Sequence, residues 1–281
     1  MRAVLLCVLL GSTLAIAQPL PARDTADVGP RGSWSVGVFN PLRIAVHEGV
    51  ELQTHPLLFF VAPNVDARFS LVRSPLRLTA EAGLSMPTFA MRLVKGYLFP
   101  NWATSQNDIG WMLIPRAGLL LSGNVLEHDV WTLRADAAFR LPLGPNSATP
   151  LNSFLTPLDL VLAAPLTGFR SRVGGAYDHA FNDRLRLRGE LNLYVTGSQG
   201  HLLVSGQDVG SIASISPLVL TAHVGVDIAV FQHSRITAGV LWANADQGAT
   251  RVDMGADGFS ERVRVRSNDF LPTLDFIWEG F

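Results

Sequence analysis

The chain has 281 residues, with 22 Lys and Arg against 23 Asp and Glu and a formal net charge of −1. Only 16% of residues are charged, against about 25% in ordinary soluble domains, and the mean hydropathy is +0.27. This balance carries no electrostatic footprint for a nucleic-acid partner.

Met1-Arg2 is a short basic start, Ala3 to Leu10 is wholly apolar, and Gly11 to Ala17 continues the run with small residues. Ala15-Ile16-Ala17 before Gln18 has the small-x-small form of a signal-peptidase site, so residues 1–17 are read as a cleaved secretory signal. A membrane anchor is the competing reading, but the run is short for a spanning helix and Pro19 and Pro21 follow at once. Cys7 is the chain's one cysteine and lies inside the run, which argues against a lipoprotein. Without residues 1–17 the chain holds no thiol, so disulfides and thiolate metal sites are excluded, and no cofactor is expected. Cleavage also removes Arg2, leaving 21 basic against 23 acidic residues and a charge of −2.

Residues 18–31, with Pro19, Pro21, Pro30 and several polar side chains, read as a flexible leader. From residue 32 to 281 the dominant signal is a two-residue period. It is clearest over 184–196. There Leu185, Leu187, Gly189, Leu191, Leu193 and Val195 alternate with Arg184, Arg186, Arg188, Glu190, Asn192, Tyr194 and Thr196. No helix keeps a strict two-residue period over thirteen positions. The same pattern runs through 76–85 and 129–141, and through the segments near Trp34, Val65, Ala222 and Ile236. Strands are predicted near 33–47, 49–60, 64–72, 75–85, 110–121, 129–141, 155–164, 168–179, 184–196, 217–231, 234–244 and 270–280.

Turn signals such as His47-Glu48-Gly49, Arg73-Ser74-Pro75 and Phe181-Asn182-Asp183 separate these runs. Longer connections fall around 87–108, 143–157, 197–216 and 246–269. Beyond residue 17 no apolar stretch is long enough for a spanning helix. The expected fold is all-β: a single antiparallel up-and-down transmembrane β-barrel of about 12 strands. A soluble periplasmic β-protein is the alternative.

The chain resembles the outer-membrane β-barrel superfamily, whose members carry a cleaved signal, alternate through antiparallel strands and often end on Phe. This chain ends Leu271-Pro-Thr-Leu-Asp-Phe-Ile-Trp-Glu-Gly-Phe281. The parity of the terminal Phe gives Glu279, Ile277 and Asp275, while Trp278, Phe276 and Leu274 lie on the other parity, so only part of the terminal pattern is met. The resemblance implies a bacterial outer-membrane location. It also implies as partners the barrel-assembly machinery, outer-membrane lipids and lipopolysaccharide. Trp34, Trp111, Trp131, Trp242 and Trp278 sit in or near strand ends, as interfacial girdles require.

If the apolar parity faces lipid, the polar parity faces the lumen. The candidate lumen charges are Arg77, Glu81, Arg134, Asp136, Arg184, Arg186, Arg188, Glu190 and Asp227, with Arg43 and Arg68 of the same kind. In an open pore the three arginines of 184–188 would favour anions. In a narrow barrel they would pair with Glu81, Asp136 or Asp227 and fill the interior. Lys95 is the only lysine. A GC-rich genome accounts for that bias, and so does a need for guanidinium forks. Arg262, Arg264 and Arg266 repeat the motif before the last strand, where they could meet lipopolysaccharide phosphates.

Signals for an enzyme are weak. His233 and Ser234 are adjacent and point to opposite strand faces, which disfavours a nucleophile–base pair. His223 beside Asp227 is the remaining dyad candidate. The histidines show no metal-ligand spacing. The expected function is a small channel for polar or anionic solutes, or a closed structural or surface-binding barrel, without enzymatic activity.

Overall fold

The computed structural model describes residues 20–60, 62–95, 109–145, 156–197, 201–204, 207–211, 217–254 and 260–280. The signal at 1–17 and the terminal Phe281 lie outside the described residues. In chain order the strands are β1 (Trp34–Gly37), β2 (Leu42–His47), β3 (Val50–Thr54), β4 (Asn64–Val72), β5 (Arg77–Ser85), β6 (Met112–Asn124), β7 (Asp129–Phe139), β8 (Leu141–Pro142), β9 (Phe169–Ala180), β10 (Leu185–Thr196), β11 (His201–Val204), β12 (Gln207–Ser211), β13 (Leu218–Phe231), β14 (Ser234–Met254) and β15 (Ser260–Gly280).

Twelve of them close an antiparallel barrel. Neighbours in the chain are neighbours in the sheet, and β1 meets β15 to shut the ring, with Trp34 opposite Gly280. β8 adds only a short pairing to β6, and β11 and β12 form a separate hairpin. Tight turns at 48–49, 73–76, 125–128, 181–184 and 232–233 gather at one end with Gly280. The longer connections gather at the other. These are called the turn end and the loop end.

The two faces are inverted relative to a soluble protein. Outside, Leu133, Val173, Leu191 and Leu274 are exposed, and Val224 keeps 60% of its surface open. Inside, Arg68, Arg186, Arg188 and Arg235 are buried, and Asp178 is 0% exposed. Aromatic rings on the outer face fall at two levels. Trp131, Tyr177 and Trp278 lie toward the turn end; Phe139, Phe169 and Phe270 lie toward the loop end. On β7, β9 and β15 alike, the two levels are eight residues apart. At ~3.4 Å per residue and a 35–45° tilt this is roughly 20 Å of height.

Two sequence expectations fail and cancel in the strand count. The predicted strand 33–47 is two short strands, β1 and β2, because Asn40-Pro41 breaks the run. The predicted strand 155–164 is a helix (Thr156–Thr167). Helix α1 is Pro56–Phe59 and helix α2 is Thr88–Val94, so this longer one is α3. Its sequence TPLDLVLAAPLT is apolar around most of its circumference, as a buried helix must be. Leu162, Ala163, Ala164 and Leu166 are buried with Met91, Ile109, Met112 and Ile114 at the loop end of the lumen, and Leu160 is buried with Val219 and Ala245. Gly168 at φ +85 closes the helix, its N–H bonding to Ala164 O, and Arg140 donates to the carbonyls of Pro165 and Leu166.

The β1–β2 connection is held by one carboxylate. Asp275 on β15 accepts from the backbone N–H of Val38 (2.8 Å), Phe39 (3.1 Å) and Asn40 (2.9 Å) and from Asn40 Nδ2 (2.5 Å). A side chain at Gly37 would collide with that carboxylate, so the close approach requires glycine. Asp275→Ala is expected to strand these donors and cost about 2–3 kcal/mol. The check is the urea midpoint of the folded, heat-shifted gel band, which should fall, with Asp275→Asn falling less.

Candidate functional site

Residues 20–31 are the described part of the segment 18–31 that reads in sequence as a leader. They dip into the lumen from the turn end and return to feed β1, with Asp24 at φ +55 in the bend. The wall holds their backbone by its carbonyls. Arg186 Nε donates to Leu20 O (2.7 Å), Arg235 Nη1 to Pro21 O (2.7 Å) and Arg188 Nη1 to Arg23 O (2.7 Å). Arg134 reaches Asp24 O (3.4 Å), Arg68 takes Thr25 O and Asp27 O, and Thr79 Oγ1 donates to Ala26 O (2.5 Å). The Ala26 N–H donates to Ser122 Oγ (2.8 Å). Thr25 and Ala26 are buried.

Side chains of the segment complete the grip. Arg23 forms a bidentate pair with Asp227, at 2.7 and 3.0 Å. Asp24 pairs with Arg43, and Asp27 with Arg77 at 3.0 Å. Burial alone would raise the Asp24 carboxyl, but Arg43, Arg188, Arg23 and Arg134 around it hold it well below the usual carboxylate range.

The wall charges also pair with one another. Arg68 bridges Glu51 (3.0 Å) and Glu81 (3.2 Å). Arg188 bridges Asp178 (2.9 Å) and Glu190 (3.0 Å), and Asn192 donates to Glu190 (2.8 Å). Arg172 meets Asp136 at 2.5 Å, with Arg170 at 3.6 Å. Arg235 lies 3.5 Å from Asp227 and 2.5 Å from Glu279.

Of the predicted lumen set, Arg77, Glu81, Arg134, Asp136, Arg186, Arg188, Glu190 and Asp227 all enter this network. Arg184 does not share their strand, because it lies in the 181–184 turn, where Asn182 Oδ1 accepts its N–H (2.8 Å). The pairing differs from expectation: Arg188 takes Asp178 on the adjacent β9, opposite it in register, and not Glu81 or Asp136 across the lumen. Asp178, Arg235, Arg170, Arg172 and the three charges of residues 23–27 were missed. Arg170, Arg172 and Asp178 share one parity of β9, so alternation could have found them. His223 bonds Thr273 Oγ1 (2.9 Å), while Asp227 is taken by arginines, so the His223–Asp227 dyad does not form.

The space left is uneven. Around Asp24, between Arg134, Arg188 and Glu190, the cavity is about 10 Å³, room for a single water. Toward the turn end, between residues 20–30 and the β1–β2 and β13–β15 wall, it widens to about 930 Å³.

No protein-family model matches the chain, and no curated protein sequence matches it. Among solved structures it is similar to OmpT, an outer membrane protein of Vibrio cholerae, at 7% identity and a TM-score of 0.41, covering 88% of this chain and 64% of that one. It is also similar to a Pseudomonas aeruginosa FadL homologue, at 9% identity and a TM-score of 0.36, covering 88% of this chain and 68% of that one. The chain thus spans less than two thirds of the length of the Vibrio protein.

Asp227→Asn leaves Arg23 and Arg235 buried beside a neutral amide. Losing one partner of a buried pair costs about 3–5 kcal/mol. Trypsin cleavage after Arg23 in the folded barrel is expected to rise at least ~10-fold, read by mass spectrometry of the released peptide. Unchanged cleavage would mean that Asp227 does not anchor the segment.

The Asp24 carboxyl gives a pH signature. Its lowered folded pKa contributes stability that is complete above the ordinary carboxylate range and is lost only as pH falls through the lowered value. Amide exchange over residues 20–31, corrected for intrinsic rates, should therefore be equally slow at pH 7 and pH 5 and quicken only in strong acid.

Proposed function

We propose that this chain is an outer-membrane β-barrel whose lumen is closed at rest by its own N-terminal segment, with α3 narrowing the loop end. The observation that carries this reading is the run of carbonyls from Leu20 to Asp27, gripped by arginines of the wall. The membrane assignment rests on the inverted faces and on the two aromatic levels. Their ~20 Å separation is near the ~25 Å apolar band of outer-membrane barrels. Aliphatic side chains between the levels would face acyl chains, and the rings would sit among headgroups. Outer-membrane lipids, lipopolysaccharide and the assembly machinery are the partners this reading entails. Nothing in the pairing of His223 or Asp227 supports an enzymatic role.

A small channel for polar solutes is the second reading. The wide cavity at the turn end favours it, but residues 20–31 would have to leave before solute could pass Asp24. Protein reconstituted in planar bilayers tests both. The mature chain is expected to be electrically silent, and a variant lacking residues 18–31 to show discrete conductance steps. A variant carrying Arg23→Ala and Asp24→Ala together covers the case in which the deletion does not fold. Steady conductance from the unaltered chain would overturn the closed reading.

A further inference from the structure

The barrel wall is not equally tall. A tilted strand needs ~9–11 residues to cross a bilayer. β4 to β7, β9, β10 and β13 to β15 meet or approach that, but β1, β2 and β3 have four, six and five residues. β1 pairs with β15 only from Trp34–Gly280 to Gly37–Ile277. From Ile277 to the outer-level ring of Phe270, β15 runs seven more residues. That is about 23 Å along the strand and ~17 Å of height. Over that length, among the described residues, it pairs with β14 alone.

The free edge of β15 is built to stay free. The Glu279 N–H bonds His233 O on β14, so in an antiparallel ladder the odd residues face β14 and the even ones face the gap. Pro272 is an even residue and brings no N–H to that edge, as edge prolines do. The Phe276 N–H, two even positions further along the same edge, donates to the Asp275 carboxylate (2.8 Å). A second strand would find few donors there, which argues against pairing with another copy of the chain.

The connections that border the gap are apolar and uncovered. Phe39, Leu57, Leu58, Phe59 and Phe60 are all exposed, Phe60 at 84%. The two connections are tied together by His55 Nε2 and Phe39 O at 2.9 Å. Asn40 and Pro41, at the floor of the gap, line the 930 Å³ cavity, which is within the usual range for small-molecule sites and continues to the turn end.

We propose that the low wall between β15 and β1–β3 is a lateral portal through which an acyl chain passes from the surrounding leaflet into the lumen cavity behind Asn40 and Pro41. The apolar rim suits the chain. This rests on the membrane reading above.

The test uses protein expressed without residues 1–17, which then has no native cysteine, reconstituted in phosphatidylcholine vesicles. Nitroxide labels go to Thr273→Cys and Leu271→Cys, on the inner side of β15 beside the gap. Leu274→Cys on the outer face and Asn192→Cys on the far inner wall are the references. Collision with oxygen is compared with collision with a nickel chelate. Labels at 271 and 273 are expected to favour oxygen, as Leu274→Cys does. If both favour the chelate, the gap is water-filled; if both are shielded from each quencher like Asn192→Cys, it is shut. Either result overturns the portal. A Leu274→Cys label that favours the chelate would instead overturn the membrane reading itself.

Discussion

A guanidinium can hold a carboxylate and a backbone carbonyl at the same time, and the lumen is organised by that capacity. Arg188 serves Asp178, Glu190 and the Arg23 carbonyl together. Arg68 serves Glu51, Glu81 and the carbonyls of Thr25 and Asp27. A lysine ammonium offers no planar fork, so the near-exclusive use of arginine has a structural use here whatever its genomic origin. The segment 20–31 has few apolar side chains to bury. Its backbone polar groups would be costly inside a barrel unless each found a partner. The wall supplies those partners almost residue by residue, which turns a polar, proline-containing stretch into the barrel's core.

The strand pattern was legible because a barrel wall with one apolar and one polar face obeys a strict period of two. Arg184 to Thr196 shows it in full, and its odd positions do lie outside. The terminal strand obeys the same rule, which explains its partial signature. The parity of Glu279, Ile277 and Asp275 faces the lumen, where Asp275 and Glu279 hold the β1–β2 connection and Arg235. Helix α3 was misread because an apolar run without periodicity does not distinguish a buried strand from a buried helix. The ordering of residues 20–31 could not be read from composition at all. Several of its stabilising contacts lie more than 160 residues away, in Asp227, Arg186 and Arg188. The ion-pair partners were misassigned for a related reason. Register, which sets Arg188 opposite Asp178, is a property of two strands and not of one.

The N-terminal segment and the seam of the barrel are directly connected. The chain leaves the lumen at Gly32, whose N–H bonds Ala45 O on β2, and two residues later enters β1, the shortest of the twelve barrel strands and the sealing one. The same β15 that receives β1 also carries Asp275, which folds the β1–β2 connection inward over the seam. Displacement of residues 20–31 therefore pulls directly on β1. That strand has four pairs to β15 and two to β2, far fewer than any seam among the taller strands. The interior is rigid where arginines and carboxylates are most densely paired, on β9 and β10. The ladder is shortest where the wall is lowest, at the seam that the N-terminal segment adjoins.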